Sequence, residues 1–453
     1  MIRVTLRFDL VIIGSGSAAT TVAFKALENG KKIAVIDQKA IGGTCALRGC
    51  DPKKILVGVT DSLESAKRLQ GRGISGLKGE IDWNELMDFK RTFTESMSRG
   101  IEESLTKSGI EVLHGKARFL RPDMLEVGGK KVEAEKILIA SGVRAASLSF
   151  PGSEYLLDNE GFLSLPQLPK ELVFVGGGYI SVEFASIARK AGSEVTIIQH
   201  SGRILVNFDK EIADILTNQL RDSGIRILTN ASVKEIKKAG SEYEIRLTRD
   251  GEYELVHADA VVHGAGREFD SDMGLNAGSV KWSRKGVVVN EYLQSVSNPI
   301  VYAAGDSADT AGLKLTPIAV MEGNIAAENL IHGNTARADY TGVPTTVFSS
   351  PPFAMAGITE DEASKKGIKV TVKKGEMTSW YNSRRRNVPR SFYKIILDQD
   401  SSKVLGAHIL GENSEEIINI FSLAIRLNIE VKTLLSTPFT YPSDTNDIKY
   451  MIG

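Results

Sequence analysis

FDLVIIGSGSAATTVAFKALENGKKIAVID, running from Phe8 to Asp37, is the stretch whose reading decides the fold. Its apolar run Leu10–Ile13 reads as a buried parallel strand. Ser15 to Leu27 places helix formers on a 3.6-residue period, and Lys32 to Asp37 returns to strand. Gly14, Gly16 and Ala19 form a G-x-G-x-x-A turn between strand and helix, and Asp37 stands at the end of the strand that follows. Such a turn is built for a dinucleotide. Gly14 permits the tight turn, Gly16 lets a pyrophosphate approach the backbone, and Ala19 lets helix and strand pack closely. The helix N-terminus stabilises phosphate, and the Asp37 carboxylate accepts from ribose hydroxyls. The bland alternative is a Gly-rich connection in a generic α/β domain; the acid at the end of the second strand argues against it.

The pattern repeats further along the chain, where Gly176 takes the place of Gly14. ELVFVGGGYISVEFASIARKAGSEVTIIQ (171–199) again reads strand, Gly176-x-Gly178-x-x-Ser181, helix, strand. Two such units imply two nucleotide cofactors or a duplication. Where an NAD-binding acid would stand, the second unit has Gln199, His200, Ser201, Gly202 and Arg203. A neutral residue with cationic and hydroxyl neighbours suits a 2′-phosphate, so the sequence favours NADPH over NADH.

The rest of the chain bounds the answer. Its 453 residues predict two to four domains. Lys+Arg and Asp+Glu balance at 56 each, which speaks against a nucleic-acid binder that neutralises phosphates. No apolar run is long enough to span a bilayer, and the N-terminal MIRVTLRFDLVIIG is too short and charged for a signal peptide. A cytoplasmic location is expected. Phe150 to Pro169 reads as a domain boundary, and strand-like runs at 225–262 lead to HGAGRE (263–268). NPIVYAAGDSAD (298–309) ends an apolar strand in Gly305-Asp306, suited to a hydroxyl-bearing ligand or, more simply, to capping a helix. From Tyr340 onward, TTVFSSPPFAMAGI, YKIILDQD and VLGAHIL read as strands and SEEIINIFSLAIRLN as a helix. Arg384-Arg385-Arg386 reads as a solvated loop, with phosphate binding as the alternative.

Both cysteines of the chain, Cys45 and Cys50, lie in GGTCALRGCDPKK. Two thiols cannot make a disulfide scaffold or a four-thiolate metal centre, and the six histidines are scattered, so no metal site is expected. A redox-active pair is the better reading: Gly42, Gly43 and Gly49 allow unusual local backbone, while helix-N-terminal amides and Lys53 and Lys54 would lower a thiol pKa.

With G-S-G-S-A-A, G-G-T-C-A-L-R-G-C-D-P-K-K, A-S-G (140–142), G-G-G-Y-I-S-V-E (176–183), A-G-R (265–267) and A-A-G-D (303–306) in order, the chain resembles the FAD-dependent pyridine nucleotide–disulfide oxidoreductases. These include glutathione reductase, dihydrolipoamide dehydrogenase and mercuric reductase. The resemblance implies an α/β fold with two Rossmann-like dinucleotide-binding domains and a C-terminal α+β dimerisation domain. FAD would occupy 1–149 and 268–338, NAD(P)H 150–267, and 339–453 would form a homodimer. FAD would be held by Gly14, Gly16, Ser17, Ala18, Asp37, Gly43, Thr44, Lys54, Ala117, Ser141, Gly142, Asp306 and Thr316. NAD(P)H would be held by Gly176, Gly178, Tyr179, Ile180, His200, Arg203, Gly266 and Arg267. Lys53 would sit by the flavin N5 with Glu183 as its ion-pair partner, and Tyr179 would gate the nicotinamide pocket. Electrons would pass from NAD(P)H through FAD to a Cys45–Cys50 disulfide, with Cys50 flavin-proximal and Cys45 the interchange thiol that attacks substrate.

The resemblance breaks at the acceptor side. The family's C-terminal H-P-T-x-S-E reads TYPSDTND here, with Tyr441 at the His position and Asn446 at the Glu position. A phenol donates a proton but is a poor base near neutrality, so Tyr441 is the candidate acid. Asp444 and Asp447 read as solvated turn residues that could assist. Asp51 replaces an apolar family residue and would raise thiol pKa values by like charge. The chain ends DIKYMIG, without the terminal cysteine pair of mercuric reductases. The expected substrate is a small molecule or small disulfide, with no nucleic-acid or membrane partner. A dihydrolipoamide dehydrogenase-like or mercuric reductase-like enzyme, or NAD(P)H-dependent reduction of quinones or metal ions directly from flavin, is the enzymatic alternative, and a flavin-binding regulator without turnover is the non-enzymatic one.

Overall fold

Four consecutive buried side chains, Leu10 to Ile13, mark a strand covered on both faces, as parallel sheets require. The strand runs Thr5–Ile13 in the computed structural model, which describes residues 5–453. Met1 to Val4, the start of the segment read as no signal peptide, lie outside the described residues. The strand begins earlier than its apolar run because Thr5 to Phe8 already pair with Lys131 to Ala134. On one side it is extended in parallel by Ile33–Asp37 and Glu111–His114. On the other lies Lys130–Ile139, which pairs in parallel with Val301–Ala303 and antiparallel with Met124–Val127, followed by Arg118–Arg121. The helix Ser17–Glu28 buries Ala18, Ala19, Val22, Ala23 and Ala26 and packs against the helix Thr316–His332. Small residues bring the two backbones close. A Cβ on Gly323 would lie 3.0 Å from the Ala18 carbonyl oxygen. These elements belong to a compact unit of residues 5–53, 88–147 and 267–340.

A second unit comprises 54–87, 148–266 and 341–453. Its parallel sheet has the order Ala260–His263, Glu171–Val175, Glu194–Ile198, Arg226–Leu228, with the helix Tyr179–Lys190 following the second of these strands. An antiparallel sheet of Ala231–Ala239, Glu242–Arg249 and Glu252–Ala258 follows in the chain. The C-terminal part is a five-stranded antiparallel sheet in the order Thr345–Val347, Phe353–Gly357, Val404–Leu410, Phe392–Asp398, Val370–Glu376. The run TTVFSSPPFAMAGI therefore forms two strands instead of one, because Pro351 and Pro352 have no amide to give a ladder. The helix Ser414–Arg426 buries Ile417, Ile418, Phe421, Ala424 and Ile425 in one cluster with sheet residues Ala354, Ala407 and Ile409.

One expectation is corrected in this unit. Arg386 is not in a solvated loop. It follows the short helix Tyr381–Arg385, pairs with Asp444 through two nitrogens, and reaches Glu412 at 3.0 Å. Glu412 also holds Arg68, and Asn413 donates to Asp444 at 2.7 Å.

Candidate active site

Gly14 has φ +109, and a Cβ there would stand 2.2 Å from the Ala140 carbonyl oxygen, so only glycine fits. Gly43, at φ +74, faces Gly16: a Cβ on Gly43 would fall 2.4 Å from the Gly16 Cα. Gly16 caps the helix Ser17–Glu28 with no side-chain hydrogen bond. The first-turn amides of Ser17 and Ala18 thus open onto a narrow all-backbone cradle between two glycines. That cradle fits a pyrophosphate, which needs close amide approach and a helix N-terminus. Ser141 and Gly142 follow directly on Ala140, and Ala117 is buried in the same unit.

Asp37 ends its strand and accepts from the Ser15 hydroxyl at 2.6 Å and from the Lys39 amide at 2.9 Å. The Gly42 amide donates in turn to Ser15 at 2.9 Å. Ser15 was not singled out from the sequence, yet it joins the glycine turn to the acid and to the segment carrying the cysteines. The second unit makes a related link, with a backbone amide in place of the serine hydroxyl. The Gly177 amide donates to Gln199 Oε1 at 2.7 Å, and the two residues are as far apart in the chain as Ser15 and Asp37. Gln199 therefore stands at Asp37's place in the repeat, with its amide nitrogen given to Ser201. Gly176, at φ +103, would place a Cβ 2.4 Å from the Gly264 carbonyl oxygen, and Gly178 caps the helix beginning at Tyr179 and Ile180 without a side-chain bond.

The other residues expected at the second nucleotide separate. His200 is exposed. Arg203 donates from Nη1 to the Leu205 carbonyl at 2.9 Å and from Nη2 to Val206 at 2.6 Å and Phe208 at 3.4 Å, so its guanidinium ties down its own turn. Gly266 has φ +108 and closes the second unit's middle segment, whereas Arg267 belongs to the first. There Arg267 pairs with Asp306 at 2.9 Å and donates to the Lys314 carbonyl at 3.3 Å, joining residues expected at different cofactors.

The cysteines come together. Cys45 lies in the short helix Gly43–Arg48, with Thr44 before it, and Cys50 opens the helix Cys50–Arg68. Gly49 between them would meet the Thr44 carbonyl oxygen at 3.0 Å if it bore a Cβ. Cys50 Sγ is 3.5 Å from Thr316 Oγ1, at the start of the helix Thr316–His332. The Cys45 thiol reaches Asp51 Oδ1 at 3.9 Å. The expected lowering of a thiol pKa is not met at Cys45. A hydrogen bond with the Cys50 side chain, burial and the charge of Cys50 hold it above the ordinary cysteine range; Thr316 opposes them, and Asp51 adds the smallest push upward.

Lys53 is buried at the end of the first unit's opening segment. Glu183 is buried in the second unit, where its Oε1 accepts from the Phe348 amide at 2.9 Å. Lys54 sits 3.5 Å from Glu415 and 3.9 Å from the centre of the Phe348 ring. Tyr441 is 73% exposed in the single chain. Asn446 is buried, and Asp447 accepts from Asn382 at 2.9 Å. Asp444 is no solvated turn residue. Burial pushes its carboxyl up, but Arg386 and Asn413 outweigh burial and hold it below the usual carboxylate range. Among the described residues no cluster of three His, Cys, Asp or Glu side chains could hold a metal ion, and no helix is long and apolar enough to cross a membrane.

Two glycine-cradled helix starts and one paired-thiol segment define the class: a two-nucleotide oxidoreductase working through sulfur. The chain matches the model described as "Pyridine nucleotide-disulphide oxidoreductase" over residues 8–323 and that family's dimerisation domain over 343–452, and it belongs to this family of flavoproteins. It is 32% identical to a glutathione reductase from Nostoc sp., covering 99% of this chain and 100% of the relative. It is 30% identical to a mercuric reductase from Lysinibacillus sphaericus, covering 98% and 81%. Among solved structures it resembles the Cu(II) complex of the HOCl-induced flavoprotein disulfide reductase RclA from Escherichia coli, with TM-score 0.88, 28% identity, and coverage of 98% and 99%.

Proposed function

We propose that the chain is a homodimeric enzyme that uses NADPH, in preference to NADH, to reduce a small disulfide or another electrophilic acceptor through Cys45 and Cys50. The observation that carries this reading is the meeting of the two sulfurs at the start of the Cys50 helix, next to Thr316. FAD, when bound, supplies the two-electron exchange between nicotinamide and sulfur. Gly14, Gly16, Ser17 and Gly43 would hold its pyrophosphate, and Asp37, oriented by Ser15, its ribose. Gly176, Gly178 and the amides of Tyr179 and Ile180 would hold the nicotinamide nucleotide. The neutral Gln199 at the acid's position supports NADPH, and because Arg203 and Ser201 are both engaged with backbone carbonyls, the exposed His200 is left as the 2′-phosphate contact.

On the acceptor side, Cys45 loses its S–H proton and attacks one sulfur of a disulfide, expelling the first substrate thiolate; Cys50 then loses its proton, attacks Cys45, expels the second thiolate and closes the protein disulfide. The two protons given up by the thiols equal the two taken up by the departing thiolates, and in this scheme Tyr441, exposed at the family's histidine position, passes a proton to each leaving thiolate and is reprotonated from those the thiols release. A second reading, reduction of a thiophilic metal ion held by the two sulfurs, is supported by the mercuric reductase relatives and by the RclA structure being a Cu(II) complex. Replacing Cys45 or Cys50 with Ser tests the common step. NADPH should still bleach the flavin band anaerobically, while turnover of 2-hydroxyethyl disulfide should fall by at least about 100-fold. Unchanged disulfide turnover would remove the thiols from the reaction.

A further inference from the structure

The carboxylate beside the interchange thiol has a consequence for the acceptor. Asp51 occupies the first turn of the helix Cys50–Arg68, and its Oδ1 is the hydrogen-bond partner of Cys45 Sγ at 3.9 Å. Asp51 and Cys50 are exposed and Cys45 is half-buried, so an acceptor that meets Cys45 also meets this carboxylate. Any disulfide attacked by Cys45 brings its own charge within a few ångströms of Asp51. At that range the interaction of two unit charges is large enough to decide between substrates of equal reactivity. Repulsion of the wrong partner is as effective a source of specificity as attraction of the right one.

We propose that Asp51 is a specificity residue that directs Cys45 toward uncharged and cationic acceptors and away from anionic disulfides. The inference rests on the reading that Cys45 is the attacking thiol. It narrows the acceptor class without changing the chemistry: Cys45 still forms the mixed disulfide, and Cys50 still resolves it. Lys53 is buried, Lys54 is committed to Glu415 and the Phe348 ring, and the only histidines of the first unit are His114, paired with Glu102, and His332, at the far end of the helix that begins at Thr316. The same carboxylate helps hold the Cys45 thiol in its protonated form.

The test compares three acceptors with the flavin-loaded enzyme: cystamine, 2-hydroxyethyl disulfide and dithiodiacetate, which carry two positive charges, none and two negative charges. The wild type should prefer cystamine over dithiodiacetate in kcat/KM, and Asp51→Asn should shrink that preference about tenfold. Raising the salt concentration should shrink it in the wild type and have little effect in the variant, because Asp51 is exposed and screened. A flavin-independent reading comes from alkylation of Cys45 in a Cys50→Ser background. Iodoacetate should lag iodoacetamide by more than it does on a free cysteine, and Asp51→Asn should remove the excess. An equal cystamine-to-dithiodiacetate ratio in wild type and Asp51→Asn would overturn the proposal. If Cys45→Ser retained disulfide turnover, the underlying reading would fall instead, whatever Asp51 does.

Discussion

In the proposed preference for NADPH, Gln199 is the residue that carries the argument. It lies at the position of Asp37 in the repeat and accepts from the corresponding turn residue, there the Ser15 hydroxyl and here the Gly177 backbone amide, but it offers no carboxylate to a ribose. An acid there would bind the 2′-hydroxyl of NADH and repel the 2′-phosphate of NADPH. Gln199→Glu keeps the side-chain length and the acceptor for Gly177, so the fold should tolerate it. The variant should lose about tenfold or more in kcat/KM for NADPH and gain for NADH, an exchange of preference read by steady-state kinetics with each nucleotide. A uniform loss for both would mark Gln199 as structural only. The position was legible in the sequence because the strand ending there was. Ser15 was not, because a serine inside G-S-G-S has no pattern of its own and acquires its role only when the turn folds its hydroxyl onto Asp37. Asp51 was legible as a charge near two thiols, though not as the hydrogen-bond partner of one of them, which depends on how the Cys50 helix starts.

At the level of elements, the first strand–helix–strand unit depends on how closely Ser17–Glu28 approaches Thr316–His332. Alanines line the crossing, and Gly323 sits close against the Ala18 backbone: its Cβ would lie 3.0 Å from the Ala18 oxygen and 3.1 Å from the Thr21 Cβ, so any side chain there must push its neighbours aside. Gly323→Val should overpack the crossing and cost about 1–3 kcal/mol, read as a lower midpoint in urea. Because Thr316 begins the same helix beside Cys50, a displaced helix should also lower flavin content in the purified protein. A variant with wild-type stability and full flavin would show that the helices can separate without consequence. The strand and helix of this unit were readable from periodicity, whereas their crossing was not: Gly323 and Ala18 stand near opposite ends of the unit's sequence, and only the closed sheet brings them together. The C-terminal strands show the opposite case. Their apolar runs were legible, but the run 345–358 divides where Pro351 and Pro352 leave the ladder without donors.

Over the molecule as a whole, the balanced composition of 56 cationic and 56 acidic residues conceals charges that are far from evenly solvated. In the second unit Lys394 is buried in its strand with Asp209 at 3.1 Å, Glu211 at 3.3 Å and Glu360 at 2.7 Å. His408 is its cross-strand neighbour and is fully buried, with Nε2 against the Ile358 carbonyl oxygen at 3.1 Å and Nδ1 without a hydrogen-bond partner among the described residues. Burial pushes the His408 pKa down. Asp209 and Glu362 act in the opposite sense, and Lys394 reinforces the fall, leaving the ring below the ordinary histidine range. The sign of the pH effect follows. In the unfolded chain the ring binds a proton near pH 6.5, whereas in the folded chain it resists protonation. Between its folded pKa and about pH 6.5 the unfolded state therefore binds more protons, so stability falls as the pH drops through that window. His408→Gln keeps a donor for Ile358 and removes the titration. Urea unfolding of wild type and variant at about pH 7.5 and about pH 5.5 should show a larger loss of stability on acidification in the wild type, by up to about 1 kcal/mol. Parallel losses in the two proteins would assign the acid sensitivity to the carboxylates instead. No reading of sequence alone placed His408 here, because Asp209, Ile358, Glu362 and Lys394 reach it from separate strands, helices and loops, and an isolated histidine in an apolar run has no signature of its own.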